Sequence, residues 1–187
     1  SIFDLHNKIK ELFEKIISEY SGYLVKQIDY GYLITFDNPT HGISCGVAFQ
    51  KNLNRVTANE KSRVLFRIGL HTGEVTIDDH GDIFGAAANI AARVKSAAEP
   101  GRIFISEATY LVARNTKEQL FYIGKKRLKG VNEKVGLYKV LLDTETQKGE
   151  KRRASAKTII ISVVSILLIT AIASLVLYLS SIYTHKF

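Results

Sequence analysis

No charged side chain occurs between Thr158 and Thr184, and isoleucine, leucine and valine dominate that run. At ~1.5 Å rise per residue, about 20 apolar residues cross a ~30 Å hydrocarbon core, so this stretch spans a bilayer with some excess. A buried helix of a soluble domain would rarely be so long and so apolar on every face. Tyr178 and Tyr183 lie near its end, as aromatics do at a membrane interface. The basic flank Lys148, Lys151, Arg152, Arg153 and Lys157 precedes the run, with only His185-Lys186-Phe187 beyond it. By the positive-inside rule that asymmetry places residues 1–157 in the cytoplasm. Thr170 and Ser174 add a small-xxx-small spacing suited to helix pairing. The expectation is a single-pass membrane protein with a domain over 1–142, a polar basic linker over 143–157 and a transmembrane helix over 158–184.

That partition also disposes of much of the charge. The chain carries 26 basic and 18 acidic residues, a net +8. Part of the excess is the juxtamembrane cluster, a pattern of membrane edges rather than of nucleic-acid binding, so no nucleic-acid partner is expected. One cysteine, Cys45, allows no intramolecular disulfide and no cysteine-built zinc site. The chain opens on Ser1 and contains no methionine, which reads as a piece of a longer protein.

Within 1–142 the elements are legible. Leu5, Ile9, Leu12, Phe13, Ile16 and Tyr20 recur at helical spacing. Tyr23 to Ile28 and Tyr32 to Phe36 are β-rich runs on either side of Asp29-Tyr30-Gly31, a hairpin signal. Asn38-Pro39 turns the chain into a helix through Val47 and Phe49. Val64 to Leu70 and Glu74 to Ile77 read as strands separated by His71-Thr72-Gly73. Phe84 to Ala98 reads as an alanine-rich helix ended by Pro100-Gly101, followed by a strand from Arg102 to Ile105 and a short helix from Ser106-Glu107. Tyr122 to Leu128 and Gly136 to Leu142 close the domain as strands. Strands interleaved with helices and hairpins imply an α+β sheet domain.

Residues 67–93 ask for more than packing. An apolar strand needs no Gly-x-His-x-Gly, and a core helix gains nothing from Asn89 and Arg93 one turn apart. This stretch, with Ala98-Glu99-Pro100-Gly101 and Leu137-Tyr138-Lys139-Val140, resembles the catalytic domain of the class III nucleotidyl cyclases, the adenylate and guanylate cyclases. The resemblance runs from about Leu5 to Leu142 and implies a ferredoxin-like βαββαβ core. It further implies a head-to-tail dimer in which one subunit supplies metal-binding aspartates and the other the groups that hold base, ribose and phosphates.

The second set is well matched. Lys26 stands where the family's adenine-selecting lysine donates to the ring, and Asp82 where its partner accepts from the exocyclic amine. A Lys/Asp pair implies ATP as substrate, because guanine presents the opposite donor and acceptor pattern. Asn89 resembles the ribose-orienting asparagine, Arg93 the arginine that holds phosphates in the transition state, and Lys129 the triphosphate lysine. His71 is read as structural.

The metal set departs from the family. Two divalent ions, Mg2+ or Mn2+, are implied, but the hairpin that usually reads Gly-Asp-Gly here reads Asp29-Tyr30-Gly31. Tyr30 thus occupies the ligand position, and Asp29, displaced by one residue, is the candidate metal ligand: such a shift reverses side-chain direction along a strand, but the looser geometry of a tight turn lets Asp29 stand in. The first metal aspartate belongs on a central strand ahead of the Leu5–Tyr20 helix, and that strand is missing. The leading expectation is an adenylate cyclase-like domain, a phosphorus–oxygen lyase, that is silent or weak alone. The expected partner is a second copy in a homodimer or an Asp-bearing cyclase domain in a heterodimer, the latter supplying the aspartates that a homodimer would lack. The alternative is an inactive nucleotide-binding or dimerisation module. A diguanylate cyclase is discounted, since its Gly-Gly-Asp/Glu-Glu-Phe hairpin is absent.

Overall fold

The computed structural model describes residues 2–29, 31–58, 64–79 and 81–142. The fold is that of the unit Ser1–Leu142. The linker expected over 143–157 and the span expected over 158–184 lie outside the described residues, as does Tyr30. Among the described residues, no helix is long and apolar enough to cross a membrane.

Helix α1 (Ile2–Glu19) buries Ile9, Phe13, Ile16 and Ile17, one face at i, i+4, i+7 and i+8. Its opposite face carries exposed Lys10–Glu14 and Lys15–Glu19 pairs at 3.9 and 4.0 Å, which contribute little to stability. Strands β1 (Gly22–Ile28) and β2 (Gly31–Phe36) pair antiparallel from Gly22↔Phe36 to Ile28↔Gly31, with a bulge between Leu24 and Lys26. Helix α2 (Pro39–Val56) starts at Asn38, whose side chain accepts from the Thr40 N–H at 2.9 Å, with Pro39 in the first turn where its missing N–H is harmless. Cys45, Phe49 and Leu53 of α2 join the α1 cluster, while Ile43 and Val47 enter a second cluster with Ile103, Ile105 and Val140. One helix therefore serves two cores.

The main sheet has the order β3-β6-β8-β7, with β3 (Ile68–Leu70) parallel to β6 (Ile103–Ser106). Strand β8 (Lys134–Val140) is antiparallel to β6 and to β7 (Leu120–Arg127). Alternation divides the side chains between faces. Ile103, Ile105 and Val140 pack with α2 and α4 (Glu107–Ala113), whereas Phe104 and Leu137 pack with Val94 and Ala98 at the end of α3 (Ala86–Ala97). Helix α3 sits directly on β3 at Gly69, where a Cβ would lie 2.1 Å from the Lys95 nitrogen. A short ladder, β4 (Thr76–Ile77) with β5 (Ile83–Phe84), precedes α3.

The result is an α+β domain in which α1-β1-β2-α2-β3 follows the βαββαβ order without its first strand. The β1–β2 hairpin forms its own two-stranded sheet. Among the described residues β2 and β3 each have one ladder partner, and α2 lies against both: a Cβ on Gly42 would be 2.9 Å from Leu70 and 3.1 Å from Phe36.

Strands β6, β7 and β8 are displaced by one or two residues from expectation, and three other boundaries differ for reasons visible in the structure. The strand expected from Val64 begins at Ile68, because the Phe66 carbonyl accepts from Gln50 Nε2 at 2.8 Å and from the Gly101 N–H at 2.9 Å instead of a neighbouring strand. Of the strand expected over Glu74 to Ile77, only Thr76 and Ile77 find a partner. Phe84 belongs to β5 rather than to the helix, since Gly85 at φ 134° breaks the chain direction and α3 starts at Ala86.

Candidate functional site

Two elements far apart in sequence meet at Lys26 and Asp82. Lys26 follows the bulge in β1, and Asp82 ends the loop between β4 and β5. The Lys26 ammonium donates to Asp82 Oδ1 at 2.5 Å, with the side chains 41% and 37% exposed. That hydrogen bond, with a further one from the Ile83 N–H and the nearby positive charge, holds the Asp82 carboxyl below its ordinary range against a smaller opposing effect of desolvation. So exposed a pair adds little to stability, which leaves recognition as its more informative role.

Asp82 is itself held in place. Asp78 Oδ1 accepts from the Asp82 N–H at 2.8 Å, and the Asp78 N–H donates to the Asp82 carbonyl at 3.0 Å. Asp78 is a positioning residue that motif reading passed over. The available signal was compositional: Asp-Asp-His-Gly is turn chemistry in which an aspartate bonds nearby backbone.

Asn89 and Arg93 lie one turn apart on α3, both exposed, their side chains without a hydrogen-bond or ion-pair partner among the described residues. Ala87 and Val94 turn inward, so the helix presents the Asn89–Arg93 stripe away from its packed face. Lys129, just past β7, is exposed, and no bond links it to the other four. Asp29 is exposed at φ 53°, its carbonyl accepting from Gln27 Nε2 at 3.0 Å.

A cavity of about 680 Å³ lies beside this set, lined by His71, Glu74, Thr76, Phe84 and Ile90 among others, and by none of the five candidate nucleotide contacts. His71 Nδ1 lies 2.8 Å from Ser106 Oγ, which lies 3.2 Å from Thr109 Oγ1, and Thr72 Oγ1 donates to Thr109 Oγ1 at 3.2 Å. Desolvation lowers the His71 pKa, so the imidazole is neutral and knits β3 to the start of α4.

Among the described residues no three or more His, Cys, Asp or Glu side chains are grouped to hold a metal ion. Asp29 belongs to no such group.

Residues 1–142 match the family pattern described as "Adenylate and Guanylate cyclase catalytic domain". The chain belongs to this cyclase family. It is 30% identical over 104 residues to a protein of Rhizobium meliloti (strain 1021) provisionally named adenylate cyclase 3, covering 54% of this chain and 17% of that protein. It is 25% identical over 146 residues to guanylate cyclase soluble subunit beta-2 of Homo sapiens, covering 69% of this chain and 23% of that subunit. The cyclase domain thus spans less than a quarter of either relative. Among solved structures, an adenylate/guanylate cyclase/hydrolase from Silicibacter pomeroyi superposes with a TM-score of 0.65 at 28% identity, covering 72% of this chain and 80% of that one.

Proposed function

We propose that this cyclase domain is the substrate-holding half of an adenylate cyclase site, converting ATP to cyclic AMP and pyrophosphate together with a partner domain. The observation that carries the reading is the Lys26–Asp82 contact, two side chains 56 residues apart that converge in an exposed setting. A lysine donor and a carboxylate acceptor complement adenine's N1 and exocyclic amine. Guanine, with a protonated N1 and a carbonyl, would leave both unpaired, the kind of mismatch that discriminates strongly. Asn89 would orient the ribose, and Arg93 with Lys129 would meet the charge on the phosphates.

The reaction is an in-line displacement. The ribose 3′-oxygen forms a bond to the α-phosphorus, the bond from that phosphorus to the bridging β-phosphate oxygen breaks, and the 3′-hydroxyl proton leaves to solvent. The family's Mg2+ or Mn2+ ions would activate the 3′-oxygen and clamp the phosphates when bound. Asp29, displaced by one from the family's position, is the candidate ligand on this chain, and the remaining carboxylates would come from an Asp-bearing cyclase domain in a heterodimer. We further propose that the run over 158–184 anchors the chain in a membrane with the domain on the cytoplasmic side.

The test is an assay of cyclic AMP from ATP with manganese, using the chain alone and mixed with an Asp-bearing homologue. Activity in the mixture, with little in either component, is expected. A folded chain that binds ATP yet yields no product in any mixture would instead identify a nucleotide-binding or dimerisation module.

A further inference from the structure

Three residues apart on a regular strand, Tyr23 and Lys26 would point to opposite faces. The bulge between Leu24 and Lys26 adds one residue to β1, so Tyr23 stands opposite Thr35 and Lys26 opposite Leu33. Thr35 and Leu33 are alternate residues of β2 and share a face, and Tyr23 and Lys26 therefore share it as well. Both reach the same turn. Lys26 meets Asp82, and the Tyr23 hydroxyl lies over Gly81, where a Cβ would be 3.4 Å from it. Gly81 sits at φ 76°, and its N–H donates to the Asp78 carbonyl at 2.9 Å, closing the turn that delivers Asp82.

That turn needs support from outside. The ladder it closes has two residue pairs, Thr76↔Phe84 and Ile77↔Ile83, and a two-stranded ladder is marginal by itself. Asp78 fixes the internal shape of the turn but not its place against the hairpin. The exposed Lys26–Asp82 pair adds little, because screening and side-chain entropy oppose it. Tyr23 is 60% exposed, so core packing does not account for it. With only two side-chain torsions, a tyrosine spans such a gap at low entropic cost. We propose that Tyr23 is a positioning residue for base recognition, bracing the turn at Gly81 so that Asp82 stays within reach of Lys26 and of the base edge both would read. The proposal deepens the adenine reading above and rests on it. A tyrosine that served only as a surface contact would leave Asp82 unaffected, which separates the two roles.

The test compares the full chain in mild detergent with Tyr23→Ala, Tyr23→Phe, Asp82→Ala and the Tyr23→Ala, Asp82→Ala double variant. Competition binding sets ATP against purine riboside triphosphate, which lacks the exocyclic amine and so reports on the Asp82 bond. The parent should prefer ATP by about tenfold, the worth of one hydrogen bond to a charged group. Tyr23→Ala should cut that preference to about threefold, since apparent affinity falls with the fraction of chains whose turn is in place. Tyr23→Phe, which shortens the brace only at its tip, should lie between the two. With Asp82→Ala already present, Tyr23→Ala should change the preference no further, because it acts through that carboxylate. At so exposed a position either Tyr23 variant should shift Tm by no more than about 2 °C. A second arm needs no nucleotide. The Lys26 hydrogen bond holds the Asp82 carboxyl below its ordinary range, so its titration, followed by carbon-13 NMR, should move part-way back in Tyr23→Ala. A parent without preference for ATP would sink the adenine reading, and the titration then decides the brace on its own. An unchanged preference or titration in Tyr23→Ala, or a further loss on top of Asp82→Ala, would overturn the proposal.

Discussion

Replacing Gly69 by alanine tests the seating of α3 more directly than any change within the site. The added Cβ would lie 2.1 Å from the Lys95 nitrogen, 2.5 Å from its Cα and 2.7 Å from the Ala91 carbonyl oxygen. All three are helix backbone, so no side chain can swing aside. Ordinary contact begins at 3.4 Å, so the helix must retreat by roughly 1.3 Å from the strand in an interior packed too densely to absorb it. Overpacking that shifts backbone costs about 3 kcal/mol at the upper end of its usual range. At about 3–4 °C per kcal/mol for a domain of this size, Tm should fall by about 10 °C. Because α3 carries Asn89 and Arg93, a displacement near 1 Å should also lower complemented cyclase activity by about 100-fold. Gly46→Ala supplies the opposite sign. Its Cβ would meet nothing nearer than 3.6 Å, and it lies inside α2, where alanine gains about 0.5–1 kcal/mol over glycine. Thermal unfolding of the full chain, followed by near-ultraviolet circular dichroism, should therefore rank Gly46→Ala at or above the parent and Gly69→Ala well below it. A Gly69→Ala protein that melts with the parent would refute the packing of α3 on β3.

On the function proposed above, Asp82→Ala should reduce the preference for ATP over GTP by about tenfold, as measured by competition binding, because one hydrogen bond to the base would be lost. Asp78→Ala should produce a smaller loss of the same preference with no change in Lys26, since it frees the loop that aims Asp82. The His71 pKa is lowered by desolvation, so the unfolded chain takes up a proton before the folded one does. Stability is then fully present above the unfolded histidine value of about 6.5 and falls as pH drops from there toward the folded value, with His71→Gln removing that part of the slope in urea titrations. Burial pushes the Cys45 thiol up to about 11, so maleimide labelling at pH 8 should be slow in the folded chain and fast in urea; fast labelling without denaturant would contradict its place in the core.

Much of the fold was legible because the signals were local. The α1 stripe, the Asn38-Pro39 start of α2 and the Ser106 cap of α4 each rest on spacing or on one side chain bonding a near neighbour, and all three are present. The errors fall where a distant partner decides. Val64 to Phe66 have strand-like composition, yet Phe66 gives its carbonyl to Gln50 and Gly101, a choice set by tertiary packing. Phe84 looks helical until Gly85 adopts a φ that only glycine takes readily. At the site, matching residue types singled out Lys26 and Asp82, and the structure joins them. Asp78 escaped because its contribution is a backbone geometry rather than a recognisable motif. Asn89, Arg93 and Lys129 stand apart from that pair, with no bond among the described residues to tie them to it.

On the function proposed above, the division between the β1–β2 hairpin and the β4–β5 ladder would make a bound nucleotide a clasp. Lys26 rides on the hairpin and Asp82 on the loop of the separate β4–β5 ladder, and among the described residues no backbone ladder joins those two. A purine gripped by both would fasten pieces that otherwise meet through side chains and helices, so amide hydrogen exchange in residues 22–28 and 31–36 should slow when ATP binds. Linkage makes the effect reciprocal. On that reading, whatever stiffens the seam between the hairpin and the β4–β5 ladder should tighten the grip on the base, and a signal that loosens that seam would switch the site without touching a single residue in it.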